Sequence, residues 1–228
     1  MNVTLFDLDH TLLPIDSDHS WGVYTSTIGW TDPQLYARRN DAFYAQYQAG
    51  RLDVHDYVRF ATEAIRQRGP EASLLARDGF MRDVIAPAIW PQALELVRGH
   101  QRQGDLVAII TATNEFVTRP IADAFGVPEL IAVELECDNS AGGVGWLSGE
   151  IRGVPSMGEG KVLRCAQWLA QRRLPRSDVV LRFYSDSMND LPLLQDCDEP
   201  VATNPEPRLR ALASQRGWRI LDLFQPRP

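Results

Sequence analysis

The sequence is poor in cysteine. Its 228 residues include only three, Cys137, Cys165 and Cys197. An odd number of widely spaced cysteines provides neither a disulfide framework nor the CxxC pairs of a structural zinc site. We therefore predict buried free thiols in a reducing cytoplasm.

The sequence also lacks long hydrophobic runs. No stretch approaches the roughly 18 consecutive apolar residues that predict a membrane-spanning helix. The first residues enter an apolar, strand-like stretch directly, without the basic region and apolar segment of a signal peptide. These absences argue against a membrane protein and favour a cytoplasmic location.

Positive charge is scarce. Lysine and arginine together number 23, against 30 aspartates and glutamates, and the formal net charge is −7. Nucleic acids and anionic membrane surfaces are therefore not expected partners. Because acidic and basic residues are mixed along the chain, a small anionic substrate would need local positive charge to be held.

The sequence does contain enough apolar residues, 44% in all, for one domain or for one domain that carries a smaller insertion. A strand-like stretch covers residues 1–9, and helical periodicity follows from about 15 to 90. Asp32 and Asp53 are the predicted N-caps of two helices, the second of which ends at Gly69.

After residue 90, strand-like and helical stretches alternate to the end of the chain. This alternation predicts an α/β fold with a Rossmann-like parallel sheet. The helical block interrupts the alternation after the first strand, so we interpret it as an inserted cap. The expected division is a core domain of residues 1–14 and 91–228 and an all-helical cap of residues 15–90.

Polar residues follow the predicted strands at the edge where parallel sheets bind ligands. Asp7 and Asp9 come after the first strand, and in extended chain their side chains point to the same side. Thr111 and Asp186 each end a later strand. Because the carboxyl ends of parallel strands meet at one edge, these residues should converge. With Asp190 at the next helix start, four carboxylates would share one mouth, which favours a magnesium ion.

Two further residues point to phosphoryl chemistry. Thr111 offers a hydroxyl and leads toward free backbone N–H groups at a helix start, which suit an oxyanion. Lys161, in the stretch "GEGK", offers a point charge for phosphate oxygens, and Gly158 and Gly160 allow the chain to approach closely. A cation, an anion cradle and a pair of acids together predict phosphoryl transfer.

These motifs resemble those of the haloacid dehalogenase superfamily of phosphohydrolases. DxDxT at 7–11, a hydroxyl residue at 111, Lys161 and the D-x-x-x-D motif at 186–190 occur in the family's order. The helical insertion and the stretch "NPEPRLRALASQRGW" are similar to the phosphoserine-phosphatase-like subgroup (subfamily IB). The resemblance implies a magnesium-dependent phosphomonoesterase that acts on a small metabolite through an aspartyl-phosphate.

The resemblance also implies roles for individual residues. Asp7 would be the nucleophile, and Asp9 would protonate the leaving group and then deprotonate the attacking water. Magnesium would contact the carboxylates of Asp7 and Asp186 and the main-chain carbonyl of Asp9. The remaining roles fall to residues that hold the metal's waters, Asn189 and Asp190, and to residues that bind the phosphate, Thr111, Ala112 and Lys161.

Two departures from the subgroup concern the substrate. "TAT" at residues 111–113 stands where Ser-Gly-Gly is usual, although its last two residues are still expected to donate backbone N–H groups. His10 stands where a small residue is common. The candidate specificity residues are His10, Asp18, Trp21 and Arg51. The aromatic residues between 21 and 57 are interpreted first as the core of the cap and second as a wall over the substrate.

The sequence leaves the substrate open. Phosphoserine is typical of the subgroup, and histidinol phosphate or another amino-alcohol phosphate is the alternative. Phosphotransfer to a second substrate is a related activity. A non-catalytic binding module is an interpretation from another class, against which the complete set of acids argues. A monomer and a homodimer are both compatible with the sequence.

Overall fold

The structure is a computed structural model that describes residues 1–49, 51–138 and 145–224. Its strands are β1 (Asn2–Phe6), β2 (Leu106–Asn114), β3 (Glu129–Val133), β4 (Leu135–Asp138), β5 (Trp146–Ile151), β6 (Val180–Ser185), β7 (Glu199–Thr203) and β8 (Arg219–Leu221). Six of them form a parallel sheet in the order β3-β2-β1-β6-β7-β8. The first strand therefore lies inside the sheet, between β2 and β6.

Helices connect the strands of this sheet. They are α1 (Ser17–Thr27), α2 (Pro33–Gln48), α3 (Val54–Ala61), α4 (Glu63–Phe80), α5 (Ala86–Ala88), α6 (Pro91–Arg102), α7 (Glu115–Ala124), α8 (Glu159–Gln171), α9 (Leu191–Asp196) and α10 (Pro207–Arg216). A π-helical stretch, Met81–Ile85, joins α4 to α5. The predicted α/β class with a Rossmann-like sheet and an inserted helical block is confirmed.

Side chains of β1 alternate between two hydrophobic cores. Phe6 belongs to the core on one face of the sheet, whereas Val3 and Leu5 belong to the core on the other. In β2, Ile109 and Ile110 divide in the same way. Burial on both faces explains why these strands are continuous apolar runs rather than alternating ones.

Aspartates cap the inserted helices. The side chain of Asp32 accepts a hydrogen bond from the Leu35 amide (2.8 Å), and that of Asp53 accepts one from the His55 amide (2.9 Å). Both predicted N-caps are therefore confirmed. The structure adds a third, Asp16, at the start of α1. The division into a core and a cap at residues 15 and 90 stays a prediction.

The helix expected between Asp53 and Gly69 is instead divided in two. The first part, α3, ends at Ala61, and α4 begins at Glu63 and continues beyond Gly69. Gly69 has φ 78° and ψ 176°, so the backbone leaves the helical conformation there, as the sequence predicted. Helical geometry resumes at Pro70, whose missing N–H is tolerated in a first turn.

The sequence did not predict the antiparallel pair formed by β4 and β5. The apolar stretch "LIAVELE", residues 130–136, by itself predicts one continuous strand, but the structure divides it between β3 and β4. The pair packs on the inserted helices: the Trp146 indole N–H donates to the Ile65 carbonyl (3.1 Å), and Arg59 forms an ion pair with Glu150 (2.8 Å). These contacts link the core to the insertion.

One cysteine departs from the expectation. Cys165 and Cys197 are buried free thiols. Cys137 is exposed, because it lies on β4, one strand of the separate β4–β5 pair, rather than in the main sheet. Within the described ranges, no helix is both long enough and apolar enough to cross a membrane.

Candidate active site

A cavity of about 640 Å³ opens between the carboxyl ends of the strands and the inserted helices. Most residues singled out in the sequence line it: Asp7, Asp9, His10, Asp18, Thr111, Ala112, Lys161, Asp186, Asn189 and Asp190. They converge because β1, β2 and β6 are adjacent parallel strands that end at this edge. This is the position where open α/β sheets bind ligands.

Lys161 lies in the floor of the cavity between two carboxylates. Its Nζ is 2.7 Å from Oδ1 of Asp7 and 2.7 Å from Oδ2 of Asp190, and the residue is 1% exposed. Burial alone would lower the pKa of the ammonium, but the charges of Asp190 and Asp7 outweigh it and raise that pKa. Ser185 donates a further hydrogen bond to Asp190 (2.7 Å). Lys161 is therefore a permanent cation with a fixed position.

Asp7 and Asp186 share a hydroxyl partner. Oγ1 of Thr11 lies 3.2 Å from Asp7 Oδ2 and 3.1 Å from Asp186 Oδ1. Burial raises the pKa of Asp7 to about 6 despite the nearby Lys161 charge. Burial, with the negative charges of Asp7 and Asp190, also raises the pKa of Asp186. Two carboxylates in this proximity would gain from additional positive charge between them.

Asp9 is held by different partners. The Ser17 amide donates to its Oδ1 (2.7 Å), and the Thr113 hydroxyl donates to its Oδ2 (2.9 Å). Burial, followed by the charge of Asp16, raises the pKa of Asp9 well above its ordinary value. A carboxyl group that favours its protonated form can donate a proton to a leaving group.

The stretch after Thr111 differs from the expectation. Strand β2 continues to Asn114, whose side chain caps α7, so the helix begins four residues after Thr111. The Thr113 amide donates to Oγ1 of Thr111 (3.1 Å) and is already engaged. The Thr111 carbonyl accepts from Ser156 (2.5 Å). The predicted pair of free N–H donors at a helix start is thus not present in this form.

The inserted segment contributes three acidic side chains to the cavity, Asp16, Asp18 and Asp41, which we call the acidic wall. Asp18 is 6% exposed and accepts hydrogen bonds from Asn114 (3.3 Å) and from the Tyr57 hydroxyl. Burial, with the charge of Asp16, raises the pKa of Asp18 to about 7. No positively charged side chain offsets this carboxylate among its described partners.

Cations are few in the cavity as a whole. Lys161 is the one lysine or arginine among the described residues that line it, and Asp7 and Asp190 already bind its ammonium. Besides the motif carboxylates, the lining includes Asp16, Asp18, Asp41 and Glu206. The cavity therefore favours a cationic group and offers no arginine for a substrate carboxylate.

Two candidate specificity residues do not line the cavity. Trp21 is 1% exposed and packs among aromatic rings, with centroids 5.3 Å from Phe80 and 5.8 Å from Phe116. It therefore has the core role that the sequence favoured for these aromatics. Arg51 is exposed and lies outside the lining. Arg51 lies between the end of α2 and the start of α3, outside both helices, so helical periodicity does not fix the direction of its side chain.

The sequence analysis missed several residues whose hydrogen bonds position the carboxylates of the site. Thr11 belongs to the DxDxT motif, and this membership was a usable signal for its contacts with Asp7 and Asp186. Ser17 and Thr113 both bind Asp9, yet neither had a local signal, because their contacts depend on how the insertion meets β2.

Comparisons with known proteins agree with this geometry. The family model of haloacid dehalogenase-like hydrolases matches residues 4–195. A histidinol-phosphatase of Neisseria meningitidis serogroup C is 39% identical over 222 residues, which cover 97% of this chain and 98% of that protein. A phosphoserine phosphatase of Mycobacterium tuberculosis is 30% identical over 228 residues, covering 95% and 69% respectively.

Solved structures share the fold. A Bordetella pertussis protein of unknown function superposes with a TM-score of 0.91 at 45% identity, over 98% of this chain and 99% of that one. A substrate-bound phosphoserine phosphatase superposes with a TM-score of 0.64 at 15% identity, over 96% and 92%. From the family match, the relatives and the fold, the chain belongs to the haloacid dehalogenase-like hydrolases and is a phosphatase of that family.

Proposed function

We propose that this phosphatase is a magnesium-dependent phosphomonoesterase that forms an aspartyl-phosphate on Asp7. The supporting observation is the position of that carboxylate. Asp7 lines the cavity, one of its oxygens is held by Lys161 and the other contacts Thr11, and Asp9 lies beside it. A nucleophile beside a second carboxyl group and a buried cation is suited to phosphoryl transfer.

The donor set fits magnesium. Burial raises the pKa values of Asp7 and Asp186, and the charge of Asp190 adds to both increases, so a divalent cation between the two carboxylates would stabilise both in the ionised form. No three Asp, Glu, His or Cys side chains of the described residues converge as a metal site. Following the family resemblance, we assign the carboxylates of Asp7 and Asp186 and the main-chain carbonyl of Asp9 as the ligands, with the metal's waters held by Asn189 and Asp190. Magnesium commonly keeps several waters.

The proposed reaction has two steps. An oxygen of Asp7 bonds to phosphorus, the ester P–O bond breaks, and Asp9 gives its proton to the leaving oxygen. Asp9 then takes a proton from water as that water attacks phosphorus, which releases inorganic phosphate and restores Asp7. Lys161, Thr111 and Ala112 would bind the phosphate oxygens, and the bound metal would offset their charge. The hydrogen bonds from Ser17 and Thr113 fix the orientation of Asp9.

For the substrate, we favour an amino-alcohol phosphate such as histidinol phosphate over phosphoserine. Both carry a cationic amine, which the acidic wall with Asp18 suits, but phosphoserine also carries a carboxylate. Lys161 is the one lysine or arginine of the described lining, and we assign it to the phosphate, so the substrate carboxylate would meet no lysine or arginine of its own. The name of the Neisseria relative supports the same choice. Transfer of the phosphoryl group to a second alcohol is the alternative activity, and an assay with added acceptor separates the two. The expected cytoplasmic location also stays a proposal.

Release of inorganic phosphate from p-nitrophenyl phosphate tests the reaction class. We expect turnover with magnesium, loss of turnover after verified metal removal, and recovery when magnesium is returned. Calcium should restore little activity, because it accepts more and longer oxygen contacts and could engage both oxygens of Asp7. Full turnover in the verified absence of metal would contradict the metal assignment.

A further inference from the structure

The loop between β7 and α10, residues 204–206, lies against both loops that carry the site's carboxylates. It contacts the loop after β1 through Asn204 and the loop after β6 through Glu206. Neither residue forms a hydrogen bond to Asp7 or Asp9 among the described contacts. The loop therefore supports both carboxylate-bearing loops without a hydrogen bond to Asp7 or Asp9.

Asn204 uses both ends of its amide. Nδ2 donates to the main-chain carbonyls of His10 (3.0 Å) and Thr11 (3.3 Å), and Oδ1 accepts from the amides of Leu223 (2.6 Å) and Phe224 (3.2 Å). Two donors and two acceptor sites are the full capacity of a side-chain amide. Its backbone has φ 46°, a left-handed conformation that asparagine tolerates better than most residues. Both the backbone and the side chain therefore favour asparagine at this position.

Glu206 holds the second loop. Its amide donates to the Asp186 carbonyl (2.9 Å), and its Oε1 accepts from the Met188 amide (3.0 Å). This fixes the backbone on both sides of Ser187, immediately before Asn189 and Asp190. Although Glu206 lines the cavity, this oxygen is already engaged.

Thr11 connects the two loops on the side of the cavity. Its hydroxyl contacts Asp7 and Asp186, and the Asp186 amide donates to that hydroxyl (3.1 Å). The Asn204 side chain donates to the Thr11 carbonyl, the Glu206 backbone amide donates to the Asp186 carbonyl, and the Glu206 side chain accepts from the Met188 amide. The spacing of the two carboxylates therefore depends on residues that do not touch the reacting atoms.

We propose that Asn204 and Glu206 are positioning residues that set the distance between the Asp7 and Asp186 carboxylates. This inference rests on the proposed function, because its consequence is the alignment of the nucleophile and the metal ligands. A misplacement of about 1 Å in such a site can cost about a hundredfold in rate. Supporting residues of this kind also influence metal affinity.

The first test is Asn204→Asp. Aspartate keeps an acceptor for the Leu223 and Phe224 amides and tolerates the left-handed backbone, but it cannot donate to His10 or Thr11. We expect kcat for p-nitrophenyl phosphate to fall at least about tenfold, KM to change less than about threefold, and magnesium binding measured by calorimetry to weaken. Arg210→Ala is the control, because it removes only the ion pair of Arg210 with Asp222 in the same C-terminal segment, and its kcat should stay at the wild-type level.

The second test compares Glu206→Ala with Glu206→Gln. Glutamine keeps an oxygen that can accept from the Met188 amide, so its kcat should stay within about threefold of wild type, whereas alanine should lose at least about tenfold. The inference is overturned if folded Asn204→Asp or Glu206→Ala retains wild-type kcat and magnesium affinity, or if glutamine is as impaired as alanine. Absence of turnover in the wild-type enzyme would instead count against the proposed function.

Discussion

Lys161 occupies a buried position between two carboxylates that an arginine would not fit. It is the one lysine in the sequence, and all other members of the 23 lysines and arginines are arginines. Its compact ammonium fits between Asp7 and Asp190 at 1% exposure, whereas a planar guanidinium is larger and donates in a fixed fork. A lone lysine among arginines was thus a compositional signal for this buried site, beyond the motif itself.

Asp7 and Asp9 should have separable roles. Asp7→Asn removes the nucleophile, so no phosphoenzyme should form. Asp9→Asn retains the nucleophile but cannot exchange a proton, and general acid–base catalysis is worth about 10² to 10⁴ in rate. With a leaving group that needs little protonation, the Asp9 variant should accumulate phosphate on Asp7, because no base activates water. Mass spectrometry of quenched peptides checks this.

Two results would contradict this assignment. One is a phosphate adduct on a peptide that does not contain Asp7. The other is normal turnover by Asp7→Asn in protein shown by mass to have retained the substitution, since the amide can deamidate back to aspartate.

The buried carboxylate of Asp18 should lower the folding stability of the protein, although we propose that it helps to bind a cationic substrate. Its pKa is raised from an ordinary value of 3.8 to about 7, so between these values the folded state binds more protons than the unfolded state. Stability from this group is therefore lost as pH rises through that window. Asp18→Asn should raise the melting temperature by several degrees at pH 8 and leave it unchanged near pH 4, which calorimetric scans measure.

The same substitution should raise KM for a cationic substrate about tenfold and leave p-nitrophenyl phosphate hydrolysis nearly unchanged. Asp41→Asn is a matched control, because Asp41 also lines the cavity but is exposed. It should not change the melting temperature. A lower melting temperature for Asp18→Asn at pH 8 would show that the carboxylate is stabilised rather than strained by burial.

At the scale of elements, the first turn of α8 fixes where Lys161 enters the site. Gly160 lies so close to the preceding chain that a Cβ would be 2.0 Å from the Pro155 carbonyl oxygen. Gly160→Ala should therefore displace this turn, with a fall in kcat of at least about tenfold and a loss of about 1 to 3 kcal/mol in unfolding free energy. Enzyme kinetics and denaturant titration measure the two effects.

Gly99→Ala is the matched control in another helix. A Cβ at Gly99 would meet only the Arg102 guanidinium at 4.0 Å, so the helix should gain up to about 1 kcal/mol without a change in kcat. If Gly160→Ala matched this behaviour, close packing of the α8 turn would not be what positions Lys161.

The elements differed in how much the sequence revealed about them. Apolar runs predicted the buried strands, and Asp32 and Asp53 predicted helix starts, because these signals are local. The β4–β5 pair was missed because its stability depends on contacts with α3 and α4 that are distant in sequence. For the same reason, the richness in aromatic residues between 21 and 57 favoured a cap core without showing which neighbours cover Trp21.

The convergence of the motif residues was predictable, because strand ends and motif spacing are both visible in the sequence itself. The residues that hold them were not. Ser17, Asn204 and Glu206 act through hydrogen bonds that form only when separate loops meet. Their polar side chains in loops have no periodicity or spacing that distinguishes them from solvated residues.

At the scale of the whole molecule, the motif residues and the acidic wall come from different parts of the chain. The carboxylates, Thr111 and Lys161 come from the sheet and α8, whereas Asp18 and Tyr57 come from the inserted helices. With a net charge of −7 and its single lining ammonium already bound, the molecule should select substrates by charge.

The most direct measurement is kcat/KM for histidinol phosphate and for phosphoserine, with the same purified enzyme and magnesium. A substrate carboxylate without a cationic partner costs about 1.5 to 3 kcal/mol, which corresponds to roughly a tenfold to hundredfold difference. We predict that histidinol phosphate is preferred by at least tenfold. Equal or greater kcat/KM for phosphoserine would contradict the proposal that this cavity selects a cationic substrate without a carboxylate.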